Sequence, residues 1–155
     1  MKRRTIFATL VTLFAAVTVC FAAGDAIIGA WKLNEAKSKI PAGSGKNLIG
    51  VYAAAGDSVK VTVDGVDANG KPTHNEWTGK FDGKDYPITG DPAADAREYT
   101  RVDDHTLTFT NKKGGKITLT GRIVVAADGK SRTVTTTATD AKGNKTDSTL
   151  VYDKQ

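Results

Sequence analysis

One cysteine, Cys20, is all the thiol this 155-residue chain holds, and its place in an N-terminal leader predicts that it leaves on processing. What remains would have no disulfide and no thiol chemistry, so its core must hold the fold without crosslinks. Histidine is as scarce. His74 sits on a polar strand face near Glu76 and His105 in a turn beside Asp103 and Asp104, with no His-x-His or cysteine pair to seed a metal site. Both read as surface residues, and no metal is expected. Ser58, Ser131 and Ser148 lie at strand starts or within strands, without an elbow motif or an evident base, which argues against nucleophilic hydrolysis. Glutamates number three (Glu35, Glu76, Glu98), and nearly all aspartates occupy turns, where they satisfy backbone donors. Glu98 is the one acid that could face inward, if Tyr99 faces out. No enzyme activity and no cofactor are expected.

Helical periodicity is missing too. From Ile28 to Tyr152 the best helical stretch is one turn around Ala36–Lys39, too short to stand alone. A long apolar run occurs only at the N-terminus, where Lys2, Arg3 and Arg4 precede Ile6 to Val19 and the small-residue site at Cys20-Phe21-Ala22. Thr9, Thr12 and Thr18 interrupt this run, and a membrane span needs about 20 apolar residues. Residues 1–22 therefore read as a signal peptide of bacterial type, with export to the periplasm or the medium. A lipoprotein anchored through Cys20 is the alternative, weakened by bulky Val19 before it. No membrane span is expected after cleavage.

Losing the leader changes the electrostatics. The chain has 22 basic and 17 acidic residues, and removing three basic ones leaves 19 against 17, a formal +2. The remaining cations are scattered, with Lys112-Lys113 and Lys116 the one local cluster, so no nucleic-acid partner is expected. Residues 23–155 are enough for one domain with one core, expected to be monomeric.

What is abundant is β-ribbon. Turn signals recur at Gly56-Asp57, Asn69-Gly70, Asp82-Gly83, Asp103-Asp104, Gly114-Gly115, Asp128-Gly129 and Gly143-Asn144. Each separates segments rich in Val, Ile, Thr and aromatics, and such short turns join antiparallel neighbours. Ten strands are predicted: Ile28–Asn34, Leu48–Ala54, Ser58–Val66, Thr73–Phe81, Tyr86–Thr89, Arg97–Val102, Thr106–Asn111, Lys116–Val125, Arg132–Thr139 and Thr146–Tyr152. Val59, Val61 and Val63 alternate with Lys60, Thr62 and Asp64, the clearest period of two. Asn75, Trp77, Gly79 and Phe81 share a face, as do Ile117, Leu119, Gly121 and Ile123. Pro87 suggests a bulge or an unpaired edge, and Gly121 a bend. Only residues 35–46 and 90–96 are long enough to cross a barrel end. The prediction is an all-β, antiparallel up-and-down meander barrel of 8–10 strands, with a Greek-key sandwich as the alternative.

Gly29-Ala30-Trp31-Lys32-Leu33 resembles the Gly-x-Trp opening of the calycin superfamily, the lipocalins and intracellular fatty-acid-binding proteins. With Lys37-Ser38-Lys39 and Asp82-Gly83-Lys84-Asp85-Tyr86-Pro87, the chain also looks like small exported bacterial lipocalin-like proteins. The resemblance implies a calycin-like barrel enclosing an apolar ligand, with Trp31 plugging one end and Gly29 letting a neighbour approach its ring. It also has departures. Residues 35–46 cannot form the helix-turn-helix of fatty-acid-binding barrels, and of their Arg-x-Tyr only Tyr152 is present, in Leu150-Val151-Tyr152. No helix follows the last strand.

Two near-motifs fail. Gly43-Ser44-Gly45-Lys46 has Ile40 and Asn47 where a phosphate loop needs glycine and Ser or Thr. Asp67-Ala68-Asn69-Gly70 with Glu76 would put Gly65 at the first calcium position, so it reads as a hairpin turn. The functional expectation is an exported binding module for a small apolar or amphipathic ligand. Trp77, Phe81, Tyr99, Phe109 and Tyr152 would line it, with tyrosine hydroxyls or Arg101, Arg122 or Arg132 orienting a polar end. The alternative is a structural or interaction protein of the envelope, with a filled barrel and partner-binding loops.

Overall fold

The hairpin turns build a ribbon that curls until its first and last strands meet. The computed structural model describes residues 25–155; the expected leader, residues 1–22, lies outside them. Among the described residues the strands are β1 (Gly29–Leu33), β2 (Lys46–Ala55), β3 (Ser58–Val66), β4 (Pro72–Gly79), β5 (Tyr86–Thr89), β6 (Ala96–Asp103), β7 (Thr106–Lys113), β8 (Lys116–Val125), β9 (Ser131–Thr139) and β10 (Lys145–Lys154). They form one closed sheet in which each strand pairs antiparallel with its chain neighbours. β1 and β10 close it, with Trp31 opposite Lys154, Lys32 opposite Asp153 and Leu33 opposite Tyr152. This is the antiparallel up-and-down barrel, and among the described residues the sheet has no free edge strand.

The alternation of side chains decides which wall is dry. On β3, Val61 and Val63 point inward and are buried, while Lys60 and Asp64 face out or lie at the surface. β4 does the same with Asn75, Trp77 and Gly79 inside. Trp31, Trp77, Tyr99, Leu107, Ile123 and Val61 are the largest wholly buried strand side chains. Both indoles are satisfied: Trp31 Nε1–H donates to Ile27 O at 3.0 Å and Trp77 Nε1–H to Arg97 O at 2.9 Å.

Three local expectations change. Ile117 is 52% exposed rather than inward, because the β7–β8 register shifts at Asn111/Lys112 and leaves Ile117 opposite Lys112 near the strand end. β4 stops at Gly79, since the Asp82 carboxylate accepts from Lys84 N–H and the Tyr86 hydroxyl and turns the chain there. Pro87 marks no bulge, but the ladder to β4 ends beside it at Ile88, so Pro87 itself is paired only to β6. β5 is short but paired on both sides, through Glu76–Thr89 and Trp77–Ile88, then Tyr86–Arg97 and Pro87–Ala96. The expected helical turn appears as a 3-10 turn over Glu35–Lys37, capped by Asn34 Oδ1 accepting from Lys37 N–H. Beyond it the chain lies along β10, where Ser38 Oγ accepts from Val151 N–H and Lys39 bridges Thr149.

Candidate functional site

Inward alternation on β6 and β9 carries two arginines into the barrel. Arg97 precedes Tyr99 by two residues, so both face inward; Arg132 shares the inner face of β9 with Val134. They are 7% and 4% exposed, and among the described residues neither forms an ion pair. Glu98, the carboxylate considered for the interior, lies on the other face of β6, because Tyr99 points in; it pairs with Lys112 at 3.2 Å. Two cations thus lie in a dry interior with no acid to neutralise them.

Their partners are aromatic and neutral. Arg97 Nε–H donates to Asn111 Oδ1 at 2.6 Å, and Arg97 Nη1–H to the Tyr99 hydroxyl at 3.4 Å. The Tyr99 and Tyr52 hydroxyls share a hydrogen bond at 3.3 Å. The Arg132 guanidinium lies 4.6 Å from the Tyr52 ring centroid, 4.8 Å from Trp31 and 5.1 Å from Tyr152. Such contacts contribute about 0.5–2 kcal/mol each. Ring contacts supply no hydrogen-bond acceptor in the ordinary sense. Arg132 Nε and Nη1 are buried without a hydrogen-bond partner. The Tyr152 hydroxyl donates to Asn47 O at 3.0 Å, taking up that acceptor. Burial pushes the Tyr99 and Tyr152 hydroxyls above the ordinary phenol range, so both stay protonated as donors.

These groups surround one cavity of about 50 Å³, lined by Asn47, Gly50, Tyr52, Val63, Arg97, Tyr99, Phe109, Ile123, Arg132, Val134 and Tyr152. Gly50 makes room for it: a Cβ there would stand 3.0 Å from Arg132 Nη2. Drug-sized ligands occupy about 300–1,000 Å³, and one water needs about 10–15 Å³. The cavity suits a group of a few heavy atoms. Wider depressions of about 530 and 310 Å³ lie on the threonine-rich outer wall of β7–β10 and beside the 35–46 segment.

Of the five expected lining residues, Tyr99, Phe109 and Tyr152 border the cavity. Trp77 and Phe81 do not; they stack on each other with centroids 6.3 Å apart, and both pack edge-on against Tyr99. Of the three arginines considered, Arg132 reaches the cavity. Arg101 pairs with Asp25 and lies 5.1 Å over Phe81, while Arg122 is exposed on the outer wall. Trp31, the expected plug, is fully buried, with the Arg132 guanidinium 4.8 Å and the Lys154 ammonium 5.0 Å from its ring. Gly29 stands at φ 139°, and a Cβ there would meet Lys154 Cε at 2.6 Å. Arg97, Tyr52 and Asn111 escaped the sequence reading. Arg97 shares inward parity with Tyr99 on β6 and Asn111 with Phe109 on β7, which was the available signal; Tyr52 on β2 had none from these strands.

No protein-family model matches the chain, and no curated protein matches it closely enough to count as a relative. Among solved structures it is similar to a redesigned β-barrel, mFAP1, bound to DFHBI. The identity is 16% and the TM-score 0.44, over 83% of this chain and 95% of that one. It is also similar to EF1p2_mFAP2b bound to DFHBI, at 12% identity and TM-score 0.47, over 84% and 94%. At these scores the likeness carries no argument about this chain, whose barrel is established by its own strand pairing.

Proposed function

We propose that the chain is an exported β-barrel binding module that holds a small ligand by a negatively charged end. The observation that carries this reading is Arg132, buried with Nε and Nη1 unpartnered at the wall of the cavity. A buried charge without a partner is destabilising by several kcal/mol, and an anion seated against it removes that penalty. Arg97 and the protonated tyrosines supply further donors around the same space. Native mass spectrometry of protein purified from its own host envelope tests the reading. A co-purified acidic small molecule is expected. Release of the bare polypeptide alone, from wild type and an Arg132→Gln variant alike, contradicts it.

The narrowness of the cavity favours a second reading, an envelope interaction protein with a filled barrel that acts through the segments at 34–45 and 90–95. Its apolar surface gives modest support: Ile49, Val51, Val102, Ile117 and Val124 are exposed but spread over β2, β6 and β8. Capture of a defined envelope partner that is lost on changing those segments, and kept in Arg132→Gln, would favour it.

A further inference from the structure

Both guanidinium groups border the same cavity, and their count and placement say more about the occupant than its sign. This step rests on the reading above. The cavity has donors in excess. A guanidinium carries five N–H groups, and Arg132 leaves Nε–H and both Nη1–H without acceptors. Of the two hydroxyl protons on Tyr52 and Tyr99, one lies between the oxygens and the other is free to turn toward the cavity. Among the inner-wall acceptors, Asn111 Oδ1 is engaged by Arg97 and Asn47 O by Tyr152; Asn75 Oδ1, on β4 opposite Val63, is buried without a donor but does not line the cavity. Water donates as well as accepts, so it suits a wall made of donors poorly. An acceptor-only group with several oxygens suits it well.

Charge and volume narrow the class. Two buried cations with no acid are neutralised by a dianion, whereas a monocarboxylate leaves one positive charge in the dry interior. About 50 Å³ accommodates roughly four or five heavy atoms but not an alkyl tail. We propose that the barrel interior is a site for a compact dianionic oxyanion of the phosphate or sulfate class, held between Arg97 and Arg132 with the Tyr52–Tyr99 hydroxyl pair on one side. The oxyanion is either free phosphate or sulfate, or the terminal group of a phosphate monoester whose remainder leaves through a barrel end; a sulfate monoester, with one charge, does not qualify.

Isothermal titration calorimetry on residues 23–155 decides this, using inorganic phosphate at pH 8, sulfate, glycerol phosphate, acetate and laurate. One-to-one binding of phosphate or sulfate at least tenfold tighter than acetate and laurate is expected. Arg97→Gln and Arg132→Gln should each weaken it at least tenfold. Arg132→Lys, which keeps the charge with fewer donors, substitutes if Arg132→Gln does not fold and should give an intermediate loss. Lys60→Gln, on the outer wall, should leave affinity unchanged. Glycerol phosphate binding as tightly as phosphate identifies a monoester site; binding tenfold weaker identifies free oxyanion; both support the proposal. Acetate or laurate binding as tightly as phosphate, and lost in the arginine variants, overturns the dianion and leaves the anionic-ligand reading standing. Equal weakening by Lys60→Gln overturns it as surface attraction. No anion bound by wild type overturns both.

Discussion

Arg132 carries opposite contributions within one side chain. The rings of Tyr52, Trp31 and Tyr152 lie 4.6, 4.8 and 5.1 Å from its guanidinium, which stabilises it, while its Nε and Nη1 are buried without acceptors, which does not. Desolvating an unpaired charge costs several kcal/mol, and desolvated cation–π contacts of about 2 kcal/mol each offset part of that cost. His74 is a different residue-scale case, on the exposed outer wall. Its Nδ1 lies 2.6 Å from Asp64 and its Nε2 3.6 Å from Glu76. The hydrogen bond to Asp64, opposed by slight desolvation and helped by the charges of Asp64 and Glu76, raises its pKa above the usual 6.5. A raised folded-state pKa means that the pair's contribution is complete below pH 6.5 and is lost as pH rises through the raised value. A proton NMR titration should show His74 titrating above 6.5, and Asp64→Asn should move it down. A midpoint at or below 6.5 in wild type would contradict the pairing.

At the scale of the strand, close approach and pairing length set where the barrel is rigid. β3 crosses β2 so tightly at Gly65 that a Cβ would sit 2.2 Å from Lys46 O, a backbone atom that cannot swing aside. Gly65→Ala should therefore destabilise by about 1–3 kcal/mol in urea unfolding, with an unchanged m-value. A loss below about 0.5 kcal/mol would mean that the two backbones separate freely. β5 lies at the other extreme, paired through only two residue pairs on each side and carrying Pro87, which has no N–H to donate. Amide exchange should be faster at Ile88 and Thr89 than at Val61 and Val63 on β3, by tenfold or more. Equal protection would show that β5 opens only with the whole barrel.

Strand existence was legible because turn chemistry and period-two alternation agree over most of the chain, as on β3, where Val59, Val61 and Val63 alternate with Lys60, Thr62 and Asp64. The end of β4 was not, because Asp82 competes with the ladder by accepting from Lys84 N–H and Tyr86. Neither was the Ile117 inversion, which a one-residue register shift produces without any local mark in β8. The site was half legible. Aromatics announce a core, and Tyr99, Phe109 and Tyr152 do border the cavity. That Trp77 and Phe81 stack away from it depends on rotamers and on the bend after Gly79, which no alternation rule encodes. Arg97 drew no reading beyond its place at the start of a strand, and charged residues are rarely buried without a partner.

For the molecule as a whole, a ten-stranded closed wall would leave a roomy interior if its inward side chains were small, yet here aromatic rings and two arginines border a cavity of about 50 Å³. The barrel therefore centres two cations and the Tyr52–Tyr99 hydroxyl pair on one small cavity within its apolar core. Its stability should depend on what occupies that centre, because an occupant that binds the folded state alone stabilises by mass action. The thermal unfolding of wild type and Arg132→Met, each with and without 50 mM phosphate against matched chloride, measures this directly. In chloride the variant should unfold at a higher temperature than wild type, since a buried uncompensated cation is gone. Phosphate should raise wild type by several degrees and leave Arg132→Met unmoved. A variant less stable than wild type in chloride, with phosphate shifting both equally, would mean that Arg132 is a structural side chain already satisfied by its aromatic neighbours.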